Sequence, residues 1–200
     1  MPALGITGGI ATGKSSFSKA LLRHLSAEFF DADECAHDLL ANDCAVHEAV
    51  RAAFGSSVFS TDGSPDRVRL RERIFGDDEA RRRLEEVLHP AIRARWSPLA
   101  DAARASNCWR CFDIPLLYES EIEARFDRVI VIACQPGTQR QRLSGDRSLR
   151  DDLAARMIAA QLDLREKISR AHHLIWNDST PAALEGQAAL LAHWLLHRYG

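Results

Sequence analysis

The sequence predicts an open, parallel α/β sheet of five strands flanked by helices, and three observations carry that reading. Short apolar runs alternate with helix-period segments along the chain. One run, Arg128-Val-Ile-Val-Ile-Ala133, is continuously apolar after its first residue, as a strand covered on both faces must be. The length, 200 residues, suits one domain with a small inserted part and leaves little room for a second independent fold.

The elements follow in order. Leu4-Gly-Ile-Thr7 is a buried strand that ends abruptly in glycines. From about Lys14 the spacing becomes helical, with Phe17, Ala20, Leu21 and Leu25 three and four residues apart. Glu28–Asp31 is a second short strand, and helices follow until Phe54-Gly55 stops them. Residues 55–64 are polar and turn-rich. Ser64-Pro65 then reads as an N-cap with proline at the first helical position. A charged helix runs to about Leu88, and His89-Pro90 should break it, because a residue before proline disfavours helical backbone. Another helix reaches about Ala105. Trp109–Asp113 and Arg128–Ala133 are strands. Ser148-Leu-Arg-Asp151 resembles a capping box that opens a helix to about Arg170. His173–Trp176 is the fifth strand. Thr180-Pro181 starts a last helix whose Leu184, Ala188, Leu191 and Leu195 form one apolar stripe. The charged helical stretch 55–106 lies between the second and third strands like an insertion.

Composition excludes several classes. With 46% apolar and 27% charged residues the chain can bury a core, so wholesale disorder is out. Twenty-six basic residues against 28 acidic ones give a net charge of −2. That balance offers no bulk attraction to nucleic acid or to an anionic membrane, and no nucleic-acid module is visible. No apolar run approaches the ~20 residues of a membrane span. The first residues, Met1-Pro-Ala-Leu-Gly-Ile, lack the basic start of a secretory signal, so the expected location is cytoplasmic. The five cysteines are expected to be free thiols, and the lone Cys108-Trp-Arg-Cys111 to be strand or loop residues rather than a metal or redox pair. Only three residues are lysine (Lys14, Lys19, Lys167) beside 23 arginines, so the place of each lysine is informative.

One of them completes a motif. Gly8-Gly9-Ile10-Ala11-Thr12-Gly13-Lys14-Ser15 matches G-x-x-x-x-G-K-[ST] between a strand and a helix. Glycines let main-chain N–H groups turn inward around phosphates, and the helix N-terminus adds positive potential. Lys14 would reach the β- and γ-phosphates and the Ser15 hydroxyl would ligate Mg²⁺. The bland alternative is a glycine turn into an ordinary helix. Asp31-Ala-Asp33 follows the second strand, at the carboxyl edge of the sheet where ligands of open α/β folds gather. A carboxylate there can orient an acceptor hydroxyl and take its proton, or help hold the metal. Alternatively, Asp33 is only an N-cap.

Further motifs appear in an order that resembles the dephospho-coenzyme A kinase family. After the phosphate loop come Asp31-Ala-Asp33-x-x-Ala-His37, Phe54-Gly55, Asp62-Gly63, Asp66-Arg67-x-x-Leu70 and Leu84-Glu85-x-x-x-His89-Pro90. Ile114-Pro-Leu-Leu-Tyr-Glu119, Gln139-x-x-Arg142-Leu143, Ala160-Gln161 and Lys167 through Asn177 follow. Each is weak alone; their ordered sum, over about residues 4–178, is specific. The resemblance implies a P-loop kinase fold related to the nucleoside monophosphate kinases. It implies a core (about 1–54, 107–137 and 171–200), a helical acceptor-binding insertion (about 55–106) and a lid (about 138–170). It also implies ATP-dependent phosphorylation of the ribose 3′-hydroxyl of dephospho-coenzyme A, the last step of coenzyme A biosynthesis. Gly8 to Ser16 would hold ATP, with Asn177 near its adenine, and Asp33 would be the base. Arg142 would neutralise phosphate charge from the lid. Asp31, Asp33, His37, Arg67, His89, Pro90, Leu116, Leu117 and Glu119 would bind the acceptor. Without the resemblance, Leu116 and Leu117 read as core and His89 as a structural histidine.

The chain departs from the family pattern twice. Ala11 stands where glycine is usual, and a methyl group there is tolerable only if φ stays below zero. Asp146 stands where a second lid arginine is usual, with Arg147 after it as the possible substitute. A monomer is the expected state, self-association the alternative. The sequence also admits two rival functions. One is a kinase for another small hydroxyl or nucleotide acceptor, which an acceptor panel would separate. The other is a nucleotide-binding module with weakened catalysis, which ADP release with and without acceptor would reveal.

Overall fold

The computed structural model describes residues 2–106, 108–146 and 151–200. Five strands form one sheet: β1 (Ala3–Gly8), β2 (Ala27–Asp31), β3 (Trp109–Asp113), β4 (Arg128–Ala133) and β5 (His173–Trp176). The order is β2-β3-β1-β4-β5, and the β1–β3, β1–β4 and β4–β5 pairings are parallel. In register, Leu4 to Ile6 lie beside Cys111 to Asp113 on one side and Arg128 to Ile130 on the other. All six residues of β1 are buried, as the central position requires, whereas β2 at the edge is partly exposed. The chain runs from β1 out to β2, back between them as β3, and then to β4 on the far side of β1. The reversal leaves the carboxyl end of β1 at the switch point, where open α/β sheets bind ligands.

Contacts divide the chain into two compact units, one of residues up to Phe30 with Leu99–Gly200, the other Asp31–Pro98. In the first, α1 (Lys14–His24) and the final helix α9 (Pro181–Tyr199) cover one face of the sheet. Leu4, Ile6, Ile130 and Ile132 project from that face into Phe17, Leu21, Leu184, Ala188, Leu191 and Leu195, which are all buried. Burying each leucine, isoleucine or phenylalanine among them stabilises by roughly 1.5–3 kcal/mol. On the opposite face Gly5 leaves room for Leu117 and Phe126; a Cβ there would stand 2.7 Å from Leu117 Cδ1. Cys111 and Cys134 are buried, and burial pushes their thiols up to about 12 and about 11. Neither is a reactive group near neutral pH. The CxxC pair divides between the buried strand residue Cys111 and the half-buried Cys108.

The second unit packs α2 (Ala32–Asn42), α3 (Cys44–Phe54), α4 (Arg67–Ile74) and the first part of α5 (Asp78–Ala105) around Leu39, Val46, Val50, Val58, Leu70, Leu84 and Leu88. Here two expectations are corrected. α4 begins at Arg67, capped by the Asp66 carboxylate on the N–H groups of Val68 and Arg69. Pro65 instead forms an isolated bridge with Phe59. The expected break at His89-Pro90 is absent: α5 runs 28 residues with Pro90 and Pro98 inside it. A proline withholds one N–H and crowds the carbonyl four residues back. Pro90, Pro98 and the residues one turn back, Glu86 and Ala94, are all exposed, so water can take the freed carbonyls. The buried Leu84, Leu88, Trp96, Ala100 and Ala103 hold the helix on either side.

The region after β4 carries three helices, α6 (Pro136–Asp146), α7 (Asp151–Ala159) and α8 (Leu164–Ser169). The helix expected to run to Arg170 is therefore divided, and Asp163 caps the second piece through the Arg165 N–H at 2.7 Å. Ser148, the expected cap of the first piece, lies outside the described residues.

β5 is fastened to β4 by an imidazole. Val129 N–H donates to His172 Nδ1 at 3.1 Å, while His172 N–H donates to the Val129 carbonyl at 3.0 Å. Burial first, then the charge of Arg128, hold the His172 and His173 imidazoles below their ordinary value. Nδ1 can accept only while it carries no proton. The stabilisation is therefore complete above the unfolded value near 6.5 and is lost as pH falls through the lowered folded value. Urea unfolding should show stability falling below about pH 6.5, with a flatter profile in His172→Gln/His173→Gln; equal slopes would refute the linkage.

Candidate active site

The phosphate loop lies between Gly8, the last residue of β1, and Lys14, the first of α1. Thr12 closes it on itself: its N–H and its hydroxyl donate to the Gly9 carbonyl at 3.3 and 2.8 Å. Gly13 is glycine for two reasons. Its φ is 90°, and a Cβ would stand 2.1 Å from Asn177 Nδ2. Gly8 is similarly forced, since a Cβ would meet the Ile132 carbonyl oxygen at 2.4 Å. No side chain caps the N-terminus of α1 and no acidic residue lies in its first turn. Its leading N–H groups and the helix field thus favour an anion. Ser15 and Ser16 are exposed in this turn.

Ala11 has a φ of 57°, so the condition that its backbone stay at negative φ is not met. The left-handed region costs an L-residue about 1–2 kcal/mol, more than the ~0.5–1 kcal/mol entropy penalty of glycine. Ala11→Gly should therefore raise the unfolding free energy by up to about 1 kcal/mol, read as a higher urea midpoint. A lowered midpoint would contradict the strain.

Lys14 is held from below. Its ammonium pairs with Asp113, the buried last residue of β3, and Ser18 Oγ donates to the second carboxylate oxygen at 3.2 Å. β3 lies beside β1, so sheet order brings this carboxylate under the loop. Thr7 ties the same neighbourhood, its hydroxyl donating to the Pro115 carbonyl at 3.0 Å.

Side chains from beyond β4 grip the loop on its other flank. Arg142 donates from Nη1 to the Ala11 carbonyl at 3.2 Å and from Nη2 to the Asn177 carbonyl at 2.9 Å. Asn177, buried after β5, donates from Nδ2 to the Thr12 carbonyl at 2.8 Å. Gln139 and Gln161 bond the main chain of Ile10. The structure thus brings Arg142 and Asn177 together at the loop; Arg147 lies outside the described residues.

After β3, Leu116 is half-buried and Leu117 wholly buried. Glu119 Oε1 accepts from Lys167 Nζ at 2.7 Å and from the Leu162 N–H at 3.0 Å. Lys167 is fully buried and also reaches the carbonyls of Gly8 and Pro115, at 3.4 and 3.3 Å.

In the second unit, Asp31, at the end of β2, is the cap of α2. Its Oδ1 accepts from the N–H groups of Asp33 and Glu34 at 2.8 and 3.1 Å. The capping role considered for Asp33 thus belongs to Asp31, and the Asp33 side chain in the first turn is exposed. His37 and Arg67 come together, Arg67 Nη2 donating to His37 Nε2 at 2.8 Å. His89 and Pro90 are exposed on α5.

Sequence reasoning assigned no role to Asp113, Gln139, Gln161 or Lys167. Two of these had a readable signal: an acid ending a buried strand, and one of only three lysines. The glutamines gave none beyond their place in the quoted motifs.

A five-stranded parallel sheet flanked by helices, with a glycine-rich loop joining its central strand to an uncapped helix, defines the P-loop kinase fold. The fold is shared with shikimate kinase from Acinetobacter baumannii (TM-score 0.54, 16% identity, covering 100% of this chain and 95% of that one). Within this class the family model of dephospho-CoA kinase matches residues 3–182. A dephospho-CoA kinase from Anaeromyxobacter dehalogenans is 40% identical over 189 residues, 94% of this chain and 89% of the relative. The solved dephospho-CoA kinase from Campylobacter jejuni is 25% identical with a TM-score of 0.67, covering 96% of each chain. The chain belongs to the dephospho-CoA kinase family.

Proposed function

We propose that the chain transfers the γ-phosphoryl group of ATP to the ribose 3′-hydroxyl of dephospho-CoA, forming ADP and CoA. The observation that carries this is the loop at Gly8–Ser15, with Lys14 anchored on Asp113, in a chain of this family. Gly8, Gly9, Ile10, Ala11, Thr12, Gly13, Lys14, Ser15 and Ser16 would surround the triphosphate. Lys14 and Arg142 would offset charge on the transferring group, and the adenine would lie toward Asn177. Asp33, exposed and free of the capping duty that Asp31 performs, would take the hydroxyl proton. Asp31 would then fix the turn from which Asp33 projects. His37, Arg67, His89, Pro90, Leu116 and Glu119 would meet the acceptor, and Leu117 would back Leu116 from the core. Residues 138–170 would act as the lid that excludes water.

Among the described residues no group of three or more His, Cys, Asp and Glu could hold a metal. That suits Mg²⁺, which arrives with substrate phosphates and takes few protein ligands, here the exposed Ser15 hydroxyl. When bound, the ion would offset charge on the β- and γ-phosphates. Among the described residues no helix is long and apolar enough to cross a membrane. The five cysteines are free thiols, as suits a reducing compartment, and on that ground we assign the activity to the cytoplasm.

Mass spectrometry of the product tests the reading. Incubation with ATP, Mg²⁺ and dephospho-CoA should yield CoA and ADP one for one. ADP without CoA, or faster phosphorylation of another nucleotide or sugar acceptor, would overturn it.

A further inference from the structure

Ile10 is gripped from outside the phosphate loop at both of its main-chain polar groups. Its N–H donates to Gln161 Oε1 at 2.7 Å, and its carbonyl accepts from Gln139 Nε2 at 2.8 Å. The next residue is Ala11, whose left-handed backbone is held in turn by Arg142 at its carbonyl. Gly9 makes space for the grip, since a Cβ there would stand 2.6 Å from Gln139 Nε2. Gln139 is buried on α6, whereas Gln161 lies in the short segment between α7 and α8. That segment is fixed on its other side as well. The Leu162 N–H donates to Glu119, and Glu119 is paired with the buried Lys167. One short segment therefore carries two consecutive residues, one bonded to the phosphate loop and the other to the framework beneath it.

We propose that Gln161 is a positioning residue for phosphoryl transfer: by accepting the Ile10 N–H, it orients the loop peptide and registers the lid segment on the phosphate site. This rests on reading the loop as the ATP site and residues 138–170 as the lid. Losing the bond frees the Gly9–Ile10 peptide and releases one root of the lid. Phosphate alignment and water exclusion should then fail together, whereas a purely structural contact would move only stability.

The decisive measurement is the ratio of CoA formed to ADP formed, beside kcat and thermal unfolding. Gln161→Met keeps the length and removes the acceptor oxygen; kcat should fall about tenfold and several ADP should appear per CoA, since small misplacements are costly in transfer. Gln161→Glu keeps an acceptor oxygen and should lie nearer the wild-type ratio. A Gln161→Met ratio equal to wild type, or Gln161→Glu falling below Gln161→Met, would overturn the proposal. Lys14→Met, run alongside, keeps the two failures apart. If it remains active, the ATP-site reading falls; if it is dead while Gln161→Met partitions normally, only the role of Gln161 falls.

Discussion

Lys14→Met is expected to lower phosphoryl transfer about a thousandfold, because no other side chain of the loop supplies a positive charge to the phosphates. The sequence alone suggests that removing this lysine would leave the fold untouched. The structure changes that expectation. Asp113 is 1% exposed and faces the ammonium, so the variant takes the Lys14 charge away from a buried carboxylate. Breaking such a pair costs about 3 kcal/mol, and thermal unfolding should shift accordingly. The double variant Lys14→Met/Asp113→Asn removes both charges. It should recover most of the stability and none of the activity. Transfer within tenfold of wild type in Lys14→Met would refute the phosphate-loop assignment. Recovery of activity in the double variant would show that Lys14 serves the fold and not the phosphates.

Asp33→Asn is expected to lower kcat by about 10²–10⁴, the range of a lost general base, with ATP affinity and stability nearly unchanged. The stability half of this expectation comes from the structure. The N–H of Asp33, and not its carboxylate, takes part in the cap, and the side chain is exposed. Such a substitution should alter stability by no more than about 0.5 kcal/mol. Asp31→Ala makes the complementary change, losing the cap and about 1 kcal/mol. If ATP affinity fell in step with kcat in Asp33→Asn, the carboxylate would be binding nucleotide or metal rather than taking the proton.

The five strands were legible because each announces itself locally. Arg128–Ala133 is apolar where both faces are covered, and Leu4–Thr7 ends in the glycines that the loop needs. α9 was equally plain, with Thr180 as its cap and its buried stripe at three- and four-residue spacing. The helical insertion was read less well, for an identifiable reason. Whether Pro90 breaks a helix depends on what the neighbouring turns bury and on whether water reaches the freed carbonyl. Neither is a local property of His89-Pro90.

The same division runs through the site. Sequence by itself determined the residue types of the loop: the main-chain turn demands Gly13, and the proposed phosphate contact would demand Lys14. It also determined the family, through motifs that retain their order. Only the tertiary structure decided what surrounds them: that Asp113 anchors Lys14, that Asp31 rather than Asp33 caps α2, and that Gln139 and Gln161 meet at Ile10. The Asp31 cap is local, but the Lys14 and Ile10 pairings join residues 99 to 151 positions apart. They exist because parallel strand order and helix packing bring distant segments to one sheet edge, and no local pattern in the chain records that geometry.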